Sequence, residues 1–283
     1  MSSFALEDSR FSENRGEASR RVMGHFGELL QGRLGPEGPL ALITLPCPKL
    51  EARASRAPGA FALEQAGPPV LTPDQAAVFL HLLGIPVEGR FRLSLGMPPG
   101  CGCGASTAAR VALARAAGIS DAGRIAAACQ ISEGATDPLT FSAPERRLWA
   151  SREGRSLAIL PPAPAFEVVG GYFGPPRPTD PFDLNFPDAA DLAAAWPEAC
   201  GSAKALAELA TESARRSLAL RGPRGDPTAD LARRTGALGW SMAHTGSARA
   251  LLFAPGEAPA RTEDLLRAAG FAAPLRFRFG GAL

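Results

Sequence analysis

Lysine is almost absent from this chain: Lys49 and Lys204 are the only two among 30 basic residues. Neither stands near a glycine-rich loop. A P-loop, which ends in Lys followed by Ser or Thr, is therefore excluded, and so is a protein-kinase site with its strand lysine. Tyrosine occurs once, and the basic residues are spread along the chain instead of striped. With a formal charge of +2 and little to stack on bases, nucleic acid is not an expected partner. The five cysteines (47, 101, 103, 129 and 200) are an odd number and form no Cys-x-x-Cys modules. Cys101 and Cys103 alone lack the second pair, or the spaced histidines, of a structural zinc site. Reduced thiols in a cytoplasmic protein are the expectation. No apolar run approaches the ~20 residues that cross a bilayer, so no membrane partner is expected. Residues 1–20 lack the apolar core of a signal peptide, and Glu7, Asp8, Glu13 and Glu17 make them too acidic for a transit peptide. They are expected to form a disordered tail.

The chain has 283 residues, of which 46% are hydrophobic and 20% charged, which suits a soluble globular protein with a real core and room for two domains. Its most informative stretch runs from Met97 to Ala109. Gly100, Gly102 and Gly104 alternate, Ser106 and Thr107 follow, and an alanine-rich helix is expected to Ala117. Glycine lets a backbone turn tightly and approach a ligand closely. Either hydroxyl is placed to cap the helix, and a helix start presents N–H groups and the positive end of the dipole to an anion. Three spaced glycines by themselves also fit a plain strand-to-helix turn. The expected strand Arg90–Leu95, the stiffening Pro98 and Pro99, and the hydroxyls favour a phosphate cradle. A dinucleotide fingerprint fails here, because two helices follow with no strand between them.

In chain order, Val22 to Gly32 predicts a strand broken by a loop, with three glycines around His25, Glu28 and Gln31. Strands are expected at Leu40–Leu45, Leu50–Ala54 and Ala60–Leu63. A helix opens at Thr72-Pro73-Asp74 and ends at Gly84. Ser120-Asp121 caps a helix ending near Ser132. Strands follow at Ser156–Leu160 and Phe166–Tyr172, and the run Pro161-Pro162-Ala163-Pro164 between them is the expected domain boundary. Gly174 to Pro187 reads as a long loop near the active face. Helical patterns cover Leu192–Leu220, divided at Pro197 and Gly201, then Asp230–Leu238 and Thr262–Ala269. Trp240 to Phe253 reads as strand, tight loop and strand, and Leu275–Phe279 as a last strand. Two blocks of strands and helices predict an α+β protein with domains at 21–163 and 164–283, not a doubly wound sheet.

Glu133 and Asp137 are the best acidic candidates, since two carboxylates beside a phosphate loop suit a metal ion and an acceptor hydroxyl. Taken alone they also fit an exposed acid and a turn-capping Asp. His244-Thr245-Gly246-Ser247 fits a hairpin turn, and His25 with Glu28 and Gln31 a satisfied polar loop. The histidines have no metal-site spacing, and no nucleophile elbow occurs.

Pro98, Gly102, Gly104 and Ser106 resemble motif 2 of the galactokinase, homoserine kinase, mevalonate kinase and phosphomevalonate kinase (GHMP) superfamily, with Cys103 for the usual Leu or Met and Ala105 for the first Ser. Gly27-Glu28-Leu29-Leu30-Gln31-Gly32 resembles motif 1 of the L-threonine kinase branch, which serves cobalamin biosynthesis. Glu133 with Thr136-Asp137 is similar to that branch's Glu-Pro-Thr-Asp with one extra residue, and Ala243-His244-Thr245-Gly246 to its motif 3. The resemblance implies a two-domain GHMP-kinase-like fold with the nucleotide site between the domains. It implies ATP at Pro98, Pro99, Gly100, Cys101, Gly102, Cys103, Gly104, Ala105, Ser106 and Thr107, and Mg²⁺ at Ser106 and Glu133. Asp137 is the implied catalytic residue, taking the acceptor's proton or aligning its hydroxyl. A small amino acid, L-threonine, is the implied substrate, at His25, Glu28, Gln31, His244, Thr245, Gly246 and Arg249. Glu28 is assigned to the ammonium group, and Arg249 to the carboxylate or the γ-phosphate. The alternatives are a homoserine or other small-alcohol kinase of this fold, and a nucleotide-binding sensor without catalysis.

Overall fold

The computed structural model describes residues 20–281. The expected tail therefore lies, except for Arg20, outside the described residues.

The chain opens with β1 (Arg20–Arg33), one continuous strand where a broken one was expected. Its register against β2 (Leu40–Ala57) slips between Met23 and Gly24, between His25 and Glu28, and between Glu28 and Leu30. Each slip shifts which side chains face which side, and this is why the sequence shows poor alternation while the backbone stays paired. His25, Glu28 and Gln31 all end up buried. β2 likewise joins two expected strands into one of 18 residues. Met23 pairs with Glu51 and Gly24 with Cys47, so Pro48 falls in the bulge between them, where a missing N–H breaks no ladder bond.

β3 (Ala62–Ala66) runs parallel to β4 (Arg90–Leu95), the crossover being α1 (Pro73–Leu82). Thr72 and Gln75 close a reciprocal capping box at its start. From β4 the chain passes through the glycine loop into α2 (Ala105–Ala116), then α3 (Ala122–Glu133), whose N-cap Asp121 accepts from Arg124 N–H as expected. The short β5 (Arg147–Ala150) was not foreseen, because four residues carry no readable period. It pairs with β2 and with β6 (Arg155–Ile159), and the Trp149 indole donates to Thr136 O at 2.8 Å. The second half comprises β7 (Phe166–Tyr172), α4 (Ala190–Ala199), α5 (Ala203–Arg221), α6 (Thr228–Thr235), β8 (Gly239–Met242), β9 (Ala248–Phe253), α7 (Thr262–Ala268) and β10 (Ala272–Phe279).

One sheet runs through both halves in the order β10-β7-β9-β8-β1-β2-β4-β3, antiparallel except for β3 and β4. Seven helices complete the described residues, giving the expected mixed fold. α2 packs on β1 and β2, and its Ala108, Ala109, Ala112 and Ala114 are small enough to bring its axis close to the sheet. All five cysteines are free and buried. No helix of the described residues is long and apolar enough to cross a membrane.

The halves meet where β8 joins β1, and the recorded register consists of one pair, Glu28 with Met242. Beyond it β1 loses β8 as a neighbour, and its buried backbone groups need other partners. Ser213 on α5 supplies them: its hydroxyl accepts from Gln31 N–H at 2.8 Å and donates to Gln31 O at 3.2 Å. Ser213→Ala orphans both groups, at a cost of about 2 kcal/mol. Thermal unfolding should then show a melting temperature lower by about 4–8 °C.

Candidate active site

The loop from Met97 to Gly104 buries Cys101 and Cys103, while Gly100, Gly102 and Gly104 are partly exposed between them. Its carbonyls are held by N–H groups from three separate segments. Arg177 N–H donates to Gly100 O at 2.7 Å, Ala248 N–H to Cys101 O at 3.0 Å, Gly27 N–H to Gly102 O at 3.2 Å, and His25 N–H to Cys103 O at 3.3 Å. In a trans peptide the N–H points away from its own carbonyl, so the amides of residues 101–104 face the other way. α2 begins at Gly104, which has φ +71° and no side-chain cap. The expected cap by Ser106 or Thr107 is not made, so the first-turn N–H groups carry no side-chain acceptor. Two glycines are obligatory here. A Cβ on Gly102 would stand 2.2 Å from Thr245 O, and one on Gly104 2.7 Å from the His25 ring.

This loop borders a cavity of about 580 Å³, bounded also by His25 and Glu28 of β1, Glu133 to Asp137 after α3, His244 and Thr245 after β8, and Pro176 to Thr179 of the long loop. The four expected segments therefore converge, and the 174–187 loop does lie on this face. Pro99 to Thr107 line the cavity except Cys101, and Pro98 stands back from it.

Three expected substrate residues do not face the cavity. Gln31 is turned between strands, its amide donating to Met242 O at 3.0 Å. Gly246 packs backbone to backbone on the glycine loop, where a Cβ would meet Cys101 C at 2.5 Å. Arg249 is buried behind the hairpin, bonded to Asp226 at 2.8 Å and to the carbonyls of Gly246 and Ala248. It braces the loop from behind and does not line the cavity. Side-chain direction at a strand end decides this, and sequence position does not reveal it.

His25 lies between two carboxylates. Its Nδ1 is 3.4 Å from Glu28 Oε1 and its Nε2 is 3.4 Å from Asp137 Oδ2. Burial alone would push the imidazole down, but the charges of Glu28 and Asp137 outweigh it and raise its pKa to about 9. Glu28 is pushed up to about 8, by burial first, with His25 opposing and Asp137 adding to the rise. These three residues are the one described His–carboxylate group compact enough for a metal. As arranged, the two carboxylates approach opposite ring nitrogens, Glu28 at Nδ1 and Asp137 at Nε2. An imidazolium bridging two acids fits the geometry.

The second cluster is closed. Glu133 Oε1 accepts from the Thr107 hydroxyl at 3.2 Å, and its Oε2 lies 3.3 Å from Arg110 Nη1. Arg110 Nη1 also donates to Ser106 Oγ at 2.6 Å. Burial raises Glu133 to about 7, with Arg110, Ser106 and Thr107 opposing and Asp137 adding. Ser106 and Glu133 thus stand together as the resemblance implies, yet both are already committed to a guanidinium. As arranged, they do not fit a divalent cation. Thr107 also accepts from Asp137 N–H at 3.4 Å and so fixes the carboxylate turn to α2.

Arg110, Arg152 and Arg177 line the cavity and were missed. Only Arg110 had a readable signal, its place four residues after Ser106 on one helix face. Arg152 reaches Asp180 O at 3.2 Å and Asp183 O at 3.4 Å, and burial lowers its pKa. His244 stacks on Phe186 at 4.0 Å and 2°, and Arg221 lies 3.8 Å from that ring. Burial, then Arg152, Arg221 and His25, hold His244 well below the usual imidazole range, so it is neutral.

No known family model matches this chain, and no curated protein does. Solved structures do. Mevalonate kinase from methicillin-resistant Staphylococcus aureus superposes with a TM-score of 0.63 at 15% identity, over 94% of this chain and 100% of the other. L. major mevalonate kinase, in complex with R-mevalonate, gives 0.65 at 16%, over 93% and 97%. A 4-(cytidine 5'-diphospho)-2C-methyl-D-erythritol kinase gives 0.60 at 20%, over 94% and 100%. The fold is that of the GHMP kinases. At these identities the likeness extends to the fold and stops there.

Two outcomes follow from this geometry. Gly102→Ala forces a Cβ into the backbone of Thr245 at φ +75° and should unfold or markedly destabilise the protein, as read by chemical denaturation. His25 and Glu28 both bind their protons more tightly when folded, so stability falls as pH rises through about 8 and about 9. The melting temperature should drop between pH 7 and 9.5, and the double variant His25→Gln, Glu28→Gln should flatten that drop.

Proposed function

We propose that this protein is an ATP-dependent kinase that phosphorylates the side-chain hydroxyl of a small amino acid, L-threonine. The observation that carries this reading is the meeting of two features in one cavity: a glycine loop whose carbonyls are bound by other segments, leading into an uncapped helix start, and beside it an acid held by a buried imidazolium. The cradle and the start of α2 suit the phosphates of ATP. The acceptor hydroxyl attacks the γ-phosphorus, the bond from that phosphorus to the β–γ bridging oxygen breaks, and ADP leaves. Asp137 accepts a hydrogen bond from the attacking hydroxyl and either orients it or takes its proton. His25 holds the Asp137 carboxylate in place. Nothing in this scheme is routed through a protein-bound metal.

The amino-acid assignment rests on charge as well as on the resemblance of Gly27–Gly32. Two acids share one imidazolium, and Glu28 Oε2 is buried with no partner among the described residues. A substrate ammonium supplies the missing donor, and its charge would draw Glu28, held up to about 8 by burial, into the carboxylate form. Arg152, on the same cavity, takes the carboxylate role that Arg249 cannot fill. Threonine exceeds serine by one methyl, worth about 1–3 kcal/mol in an apolar pocket, so serine should leak through. Homoserine carries its hydroxyl one bond further out, which disfavours in-line attack.

The commitment of Ser106 and Glu133 to Arg110 favours a second reading, a nucleotide-binding protein without turnover. Turnover of ATP with L-threonine, L-serine and L-homoserine at equal concentrations separates these. Preference for threonine supports the proposal, preference for homoserine moves the substrate, and ATP binding with no turnover selects the second reading. Asp137→Asn should lower turnover by about 10²–10⁴-fold while ATP affinity stays near that of the unaltered protein.

A further inference from the structure

We infer that Arg110 is the resident cation of the phosphate cradle, a guanidinium occupying the wedge between Ser106 and Glu133 in which a divalent ion would otherwise be held. The inference rests on the proposal that the cavity takes ATP, and it reassigns the group that meets the charge of the triphosphate. Arg110 projects from the second turn of α2, one helical turn after Ser106, so the fold of the helix alone brings its side chain back over the cradle. Nη1 stands 2.6 Å from Ser106 Oγ and 3.3 Å from Glu133 Oε2. A magnesium ion needs oxygens at about 2.0–2.1 Å with room for an octahedral shell, and those two oxygens already share one donor. The other oxygen of Glu133 accepts from Thr107 at 3.2 Å.

The arrangement is built and not incidental. The Arg110 and Glu133 side chains are 4% and 9% exposed. Admitting an ion means taking the guanidinium off Glu133, and this buried cation would then lose its partner, which is far more costly than breaking an exposed pair. One buried donor of the guanidinium, Arg110 Nε–H, remains without a partner among the described residues, while Arg110 lines the cavity. A phosphate oxygen is the acceptor that would complete it, by a charge-assisted bond. The chain thus carries the positive charge itself, and metal reaches this cradle, if at all, already chelated by the nucleotide.

Two measurements on the full chain test this. The first uses Mn²⁺ alone, with free ion followed by electron paramagnetic resonance and no nucleotide present. The unaltered protein should leave the free Mn²⁺ signal unchanged, and Arg110→Met, which vacates the wedge, should bind the ion. Stoichiometric Mn²⁺ binding by the unaltered protein, abolished by Glu133→Gln, would overturn the inference. The second is calorimetry with ATP in EDTA and in MgCl₂. ATP affinity should differ by no more than about threefold between the two conditions, and Arg110→Met should weaken metal-free binding by about 10–100-fold, the worth of a charged hydrogen bond. Arg110→Lys, which keeps the charge and guards against misfolding of the Met variant, should retain most of that affinity. Metal-free ATP affinity unmoved in Arg110→Met also refutes it. If no protein binds ATP in either buffer, the kinase proposal fails, while the Mn²⁺ result still decides what fills the wedge.

Discussion

The site depends on four carbonyl groups. Those of residues 100–103 each accept from an N–H group of another segment: the long loop at Arg177, the start of β9 at Ala248, and β1 at Gly27 and His25. Every buried carbonyl needs a donor, and here the donors come from parts of the chain up to 147 residues away, the separation of Cys101 from Ala248. Because each peptide is planar and trans, fixing the carbonyls fixes the amides. The same contacts bring β1, the long loop and the start of β9 to one place, and Thr107 ties the carboxylate turn to α2. Gly102 and Gly104 are required by closeness of approach and by φ together.

Around this frame the charges are buried in two closed groups. His25 satisfies Glu28 and Asp137, and Arg110 satisfies Glu133 and Ser106. A lone buried charge is expensive, so each group keeps its members paired, and buried polar atoms are left without a hydrogen bond among the described residues in both, His25 Nε2 and Glu28 Oε2 in the first and Arg110 Nε in the second. An acid oxygen lacking a donor and a cation lacking an acceptor, on one cavity, suit the proposed ligands, an ammonium group at one end and phosphate at the other. The fold is shared with proteins only 15–20% identical in sequence, and it supplies the position of the cavity. The chemistry is carried by these particular side chains.

Much of this was legible in the residues alone. The strands Arg90–Leu95 and Phe166–Tyr172, the cap at Asp121 and the helix start at Thr72 follow from local patterns that tertiary contacts reinforce. The glycine loop announced itself because close backbone approach tolerates no other residue type. The scarcity of lysine excluded the common phosphate sites outright. Where the reading failed, a long-range contact had overridden a local rule. β1 and β2 each looked like two pieces because bulges interrupt alternation without interrupting pairing.

The element types, the glycine loop and the acidic candidates could be read from the residues, since these depend on residue chemistry and short-range spacing. Only the tertiary structure decided where side chains point. Gln31 and Arg249 are turned into the joints between strands, and Arg110, which no motif marked, is folded over Ser106. A side chain's direction at a bulge, a hairpin end or a buried helix face is set by neighbours distant in the chain, and spacing along the sequence does not carry that information.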